Sequence, residues 1–202
     1  MTVAEFFDQG GPVVVIILVG SILALTVFLE RMYYLRNSYQ LPTDTLKRLQ
    51  ALDAASIKDL EQVIRATPRP LHGVLARLLE WKGMSLEQIR DHIEPHMDQV
   101  KDQLTRGEDI LSTIASLSPL LGLLGTVLGM TQVFQSISHQ GLGDPTRLAG
   151  GISEALLTTI AGLVVAIPTF VGYKLVKAKV NYLMRRMEEA INKVFDALYL
   201  QR

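Results

Sequence analysis

The sequence predicts an all-α integral membrane protein with three spanning helices, and three observations carry that prediction. First, charge is balanced at 20 basic against 20 acidic residues but sharply segregated. Charged side chains crowd into 30–109 and 174–202 and leave the rest nearly bare. Second, three apolar segments, 12–29, 114–134 and 155–173, come close to the roughly 20 residues that a helix needs to cross about 30 Å of hydrocarbon. Third, the charged segments repeat apolar residues every three or four positions, so the parts outside the membrane also read as helices. Zero net charge gives no basic footprint for nucleic acid, and the absence of cysteine removes disulfides and thiolate metal sites.

Residues 1–11 carry Glu5 and Asp8 but no Lys or Arg. The first apolar segment, 12–29, therefore lacks the basic flank of a signal peptide, and no small-residue cleavage site precedes Glu30-Arg31, so it reads as an uncleaved anchor. Lys and Arg favour the cytoplasmic ends of spans. Arg31, Arg36, Arg106, Lys174, Lys177 and Lys179 mark those ends, whereas the 138–151 connection holds only Arg147. The N-terminus and that short connection are expected outside, which in a bacterium is the periplasm, with 30–109 and 177–202 in the cytoplasm.

Within 30–109 a helix-like run starts at Leu41-Pro42-Thr43 and is broken at Thr67-Pro68-Arg69-Pro70. Ile89, Ile93, Met97, Val100, Leu104 and Leu111 then keep helical rhythm, with one skipped position at Gly107. The second span, within 110–137, is expected to continue that longer helix. In the tail, Val180, Met184, Met187, Ile191, Val194 and Leu198 alternate steps of four and three, a heptad seam that wants a partner helix from this chain or an identical one.

The second span carries Ala115, Ser118, Gly122, Thr126 and Gly129 at three- or four-residue steps, with Gly125 beside them. Such a stripe lies on one helix face. Lipid offers no hydrophobic gain for hiding Leu against Leu, so spanning helices associate where small side chains let backbones approach. The face is for packing or for lining, and Pro119 and Pro168 are candidate kinks. The third span, 152–176, places Glu154, Thr158 and Gly162 on one face, with Thr159 turned by about 100° from Thr158. A charge at the bilayer centre costs roughly 2.5–3.5 kcal/mol and must face protein or water. Glu154 sits nearer the outer end, where an acid in the first turn also gains about 0.3–1 kcal/mol from the helix dipole. The threonine hydroxyls can bond carbonyls of their own helix.

Two of these stretches, Gly122-Leu-Leu-Gly-Thr-Val-Leu-Gly-Met130 and Gly151-Ile-Ser-Glu-Ala-Leu-Leu-Thr-Thr-Ile-Ala-Gly-Leu163 with Ala166-Ile-Pro168, resemble the paired signature of the ExbB/TolQ/MotA proton-channel family. The order of spans, the short outside connection and the long cytoplasmic loop agree over nearly the whole chain. The resemblance implies a subunit of the bacterial inner membrane that forms a ring, typically a homopentamer, around single spans of an ExbD- or TolR-like partner bearing an essential intramembrane aspartate. It implies that proton motive force is turned into mechanical work on a TonB- or TolA-like protein, in biopolymer transport or envelope maintenance. Matched by position, it makes Thr126, Thr159 and Glu154 pathway residues, with Thr158 beside them. Three visible spans set the chain apart from the four-span flagellar stators.

Chemistry agrees with an outside partner. A proton relay needs a group that alternately holds and releases a proton, and no carboxylate lies deep in any of these spans. The rival reading is a structural scaffold ring that conducts nothing. No enzyme, cofactor or metal site is expected. Gly141-Leu-Gly-Asp144 matches a string of intramembrane aspartyl proteases, yet a second intramembrane aspartate is lacking, and a turn before Pro145 suits it better. His92 and His96 are four apart, a spacing that can bind metal, but Pro95 lies between them and no further ligand is near, so the stretch reads as a solvated helix.

Overall fold

The computed structural model describes residues 3–37, 62, 64, 70–81, 83–140 and 145–199. Among them the secondary structure is helical throughout: α1 is Val3–Asn37, α2 Pro70–Glu80, α3 Leu86–Thr105, α4 Glu108–Gln140 and α5 Pro145–Tyr199. Three of these, α1, α4 and α5, are long and apolar enough to cross a membrane over 11–36, 108–138 and 148–196. The expected helix start at 41–43, most of the break at 67–70 and the turn at 141–144 lie outside the described residues. The chain divides into two compact units, one formed by 1–30 with 107–175, the other by 31–106 with 176–202.

In the first unit, α1 buries Val14, Ile17, Ala24 and Val27, a face kept by steps of three or four between most of them. The large residues between them, Ile16, Val19, Leu23 and Leu25, are exposed, as suits side chains facing lipid. Gly20 of α1 lies beside Ile114 of α4, and Phe28 closes on Gly172 of α5. The first span is interrupted where it begins: Gly11 has φ 61 and ψ −167, a backbone conformation that glycine adopts readily and other residues rarely do. Pro12 follows with no N–H to satisfy and restarts the helix.

The second unit is built as a water-soluble bundle would be. Helix α3 opens with a capping box: the Ser85 Oγ accepts from the Gln88 amide at 3.3 Å, and the Gln88 side chain accepts from the Ser85 amide at 3.0 Å. Leu75, Leu78, Ile89 and Leu104 are fully or almost fully buried. Arg31 is buried too, and its guanidinium donates to the carbonyl of Gln103 at 3.2 Å. That carbonyl belongs to the last turn of α3, where backbone acceptors have no partner within the helix.

One expectation changes and another is narrowed. The rhythm through Leu104 and Leu111 does not make one helix, because Gly107 takes φ 85 and ends α3 before α4 starts at Glu108. The skipped position was the trace of that break. Of the tail's heptad seam, Val180, Met187, Ile191 and Val194 are buried within the chain, together with Leu183 and Ala190, Met184 is half-buried, and the Leu198 side chain lies outside the described residues. A seam of that period records that a neighbour is required and not whose helix supplies it.

Candidate functional site

The stripe on α4 lies against α5, and its small residues are what permit the approach. A Cβ added at Gly122 would sit 2.9 Å from the Thr158 carbonyl oxygen and 3.0 Å from the Thr159 Cα. At Gly162 it would meet the Ser118 carbonyl oxygen at 2.5 Å, and at Gly129 the Ala155 side chain at 2.9 Å. Gly125 faces the Thr158 side chain just as closely. Ala115 and Ser118 continue the buried line. Of the packing residues expected from spacing alone, Gly122 and Gly162 therefore meet backbone across the contact, while Gly125 and Gly129 meet the side chains of Thr158 and Ala155. Pro119 and Pro168 each lie inside a helix that runs on through them.

This contact brings three hydroxyls together. Thr126 of α4 and Thr159 of α5 are hydrogen-bonded to each other. Both are half-buried, at the edge of the contact. The Thr126 hydroxyl also reaches the carbonyl oxygens of Gly122 at 3.2 Å and Ala155 at 3.1 Å. That of Thr159 reaches the Gly122 carbonyl at 3.1 Å. Thr158 lies inside the contact, 4% exposed, with its hydroxyl 2.8 Å from the Ala155 carbonyl and 3.0 Å from that of Gly122. Glu154, one residue before Ala155, is exposed and stands apart from the three hydroxyls.

Two participants were not anticipated, the carbonyls of Gly122 and Ala155, because a backbone acceptor has no side-chain signature. The signal that could have found Ala155 is its place in the series Ala155, Thr159, Gly162, Ala166, whose small residues recur at helical steps as those of α4 do. The arrangement can orient, accept and donate hydrogen bonds. Threonine hydroxyls do not ionise under ordinary conditions, so it cannot by itself store a proton.

The histidine pair expected from spacing is engaged in local packing. His92 and His96 each place Nδ1 against the carbonyl four residues earlier, at 2.6 and 2.9 Å. A carbonyl only accepts, so those nitrogens carry the proton. Both rings pack edgewise on Trp81, with centroids 5.5 and 5.7 Å away. Among the described residues no group of three or more metal-ligating side chains occurs.

Comparison with known proteins adds a second line of support. Residues 57–189 match the profile of the MotA/TolQ/ExbB proton channel family. The chain is 37% identical over 168 residues to an ExbB-like biopolymer transport protein of Synechocystis, covering 80% of this chain and 65% of that one. It is 32% identical over 178 residues to the biopolymer transport protein exbB1 of Vibrio cholerae, covering 85% of this chain and 78% of the other. A Methanothermobacter thermautotrophicus ExbB homologue is 28% identical over 195 residues, covering 96% and 67% respectively. The chain thus spans somewhat less than two thirds of the Synechocystis protein it matches.

Proposed function

We propose, from the premise that this chain belongs to the MotA/TolQ/ExbB proton channel family, that it is a multi-pass membrane subunit coupling proton passage to movement of a partner. The observation that carries the reading is the Thr126–Thr159 hydroxyl pair, set at the edge of a glycine-lined helix contact in spans that hold no deep carboxylate. A polar pair at that depth is disfavoured unless it serves protein or water, since polar groups in hydrocarbon are tolerated only with partners. The missing group is one that ionises.

In this reading a single-span ExbD- or TolR-like protein supplies it as an intramembrane aspartate. When protonated, that acid donates to one threonine; when ionised, it accepts from a hydroxyl. Glu154 shapes the outer entrance or a contact between copies, and Thr158 holds the contact closed. Copies of this chain form the ring, with the N-terminus outside and the tail in the cytoplasm of a bacterial inner membrane. Movement of ring against partner is passed on to a TonB- or TolA-like protein. No covalent chemistry on a substrate is involved.

The test is proton flux into liposomes that hold the chain with its single-span partner. Wild type should carry a flux driven by an imposed potential, and Thr126→Val with Thr159→Val should abolish it while the complex stays assembled. Flux unchanged in that double variant would refute the assignment of the threonines. Absence of flux from the assembled wild type would favour the scaffold reading.

A further inference from the structure

The hydroxyl cluster has more reach than it has acceptors, and that mismatch has a consequence. Each threonine hydroxyl carries one hydrogen, and a carbonyl oxygen has two lone pairs. Within a helix the first lone pair serves the backbone N–H, so one remains at Gly122 and one at Ala155. Three hydroxyls lie within 3.2 Å of the Gly122 oxygen, and two of them also lie within 3.1 Å of the Ala155 oxygen.

Few arrangements then use every hydrogen. In one, Thr126 donates to Thr159, Thr159 donates to Gly122, and Thr158 takes Ala155. In the opposite sense Thr159 donates to Thr126. Thr126 then ends either on Gly122, with Thr158 on Ala155, or on Ala155, with Thr158 on Gly122. Each carbonyl receives one hydroxyl in all three, and all three are permitted by the same heavy-atom positions.

We propose that Thr158 is a positioning residue whose hydroxyl takes whichever carbonyl the Thr126–Thr159 pair leaves. It takes Ala155 when the pair ends on Gly122 in either direction and Gly122 when it ends on Ala155, so that every hydroxyl hydrogen keeps an acceptor in both senses of the pair. Reversal requires only rotation of hydroxyl hydrogens about their C–O bonds, with hydrogen bonds exchanged and no covalent bond broken. Its effect is to move the free acceptor. When Thr126 donates, its own oxygen accepts nothing within the cluster; when Thr159 donates, the open oxygen is that of Thr159. A protonated acid outside the contact is thereby offered one threonine or the other. The part played in proton passage rests on the function proposed above, whereas the hydrogen-bond exchange does not.

Two variants separate the hydroxyl from the packing: Thr158→Val keeps the shape and loses the O–H, and Thr158→Ser keeps the O–H and loses a methyl group against Gly125. In liposomes with the single-span partner, Thr158→Val should lower flux about two- to tenfold, the effect of one hydrogen bond. Thr158→Ser should keep most of it. Equal flux for Thr158→Val and wild type, or losses that follow thermal stability in both variants, would overturn the proposal. A second measurement needs no flux: the carbonyl 13C shifts of Gly122 and Ala155 by solid-state NMR. Both should move in Thr158→Val, because the pair redistributes over the two acceptors, and neither should move far in Thr158→Ser. Movement at Ala155 alone would mean that Thr158 only bonds its own helix, and the proposal would fail even where wild-type flux is normal. Moved shifts at both carbonyls with no wild-type flux would sustain the exchange and sink the proposed channel.

Discussion

The two halves of the 55-residue helix α5 pack by opposite rules. Between 155 and 172 its buried residues are Ala155, Thr158, Ala161, Gly162, Ala166, Thr169 and Gly172; between 176 and 194 they are Val176, Val180, Leu183, Met187, Ala190, Ile191 and Val194. Helical period is the same in both. In water, burial of a large apolar side chain is favourable by about 1.5–3 kcal/mol, and helices that associate bring their large residues inward. In lipid that gain vanishes, because Leu against lipid is as well placed as Leu against Leu. The first half therefore turns its small residues inward, where close backbone contact and hydroxyl-to-carbonyl bonds hold the helices, and leaves Leu156, Ile160, Val164 and Ile167 exposed.

The strongest way to break this contrast is to put bulk into the glycine contact. Gly162→Leu would drive its side chain into the Ser118 carbonyl and the Gly122 backbone, neither of which can rotate away. Overpacking against side chains costs about 1–3 kcal/mol, and backbone is less able to yield. The expected outcome is loss of the cooperative thermal transition in detergent. Gly150→Leu, in the same helix but with nothing within 4 Å of its Cβ position, should melt as wild type does.

Removing bulk should have the reverse dependence. Leu104 is fully buried in the second unit, and Leu104→Ala is expected to cost about 2–5 kcal/mol in chemical unfolding. Leu123 on α4 is 55% exposed on the spanning unit, and Leu123→Ala should change stability by less than about 0.5 kcal/mol. Equal losses at the two positions would show that the exposed leucines of the spans are covered by protein in the assembled state.

How much of this was legible in the sequence follows the same division. The three spans and the small-residue face could be read, because length, period and residue size act locally, whereas Thr126 and Thr159 were singled out as a pair only through the resemblance to the family's paired signature. Which of Thr158 and Thr159 lies inside could not, since it depends on how two helices cross and the residues differ by only about 100° of rotation. The owner of the tail's seam was hidden for a related reason: period specifies a face, and the neighbour comes from tertiary packing. The backbone break at Gly11 coincides with the expected start of the first span at Pro12, where Gly-Gly-Pro punctuates the chain. At Gly107 only the missed apolar step was noticed.

That second glycine supplies a smaller test. A residue with a side chain in left-handed backbone geometry costs roughly 1–2 kcal/mol, so Gly107→Ala at φ 85 should lower the unfolding midpoint accordingly. An unchanged midpoint would mean that the backbone at 107 leaves the left-handed region at no cost, and that the glycine is not what ends α3.

The smallest effects compare two serines, one in each environment. Ser85 caps α3 and serves an amide that has no partner within the helix, so Ser85→Ala should cost about 0.5–2 kcal/mol. Ser118 is more deeply buried, 2% exposed, and its hydroxyl donates at 2.7 Å to the Ile114 carbonyl. Burial would suggest the larger loss. Bond accounting argues the other way: the Ile114 carbonyl already serves the helix N–H, so Ser118→Ala removes a donor together with its only need for a partner and leaves no group orphaned. Its expected cost is under about 0.5 kcal/mol in thermal unfolding. A larger loss would indicate that the hydroxyl shields the crossing with Gly162, where the Ser118 carbonyl sits closest to α5, and would place Ser118 with the threonines as part of the polar layer instead of the packing face.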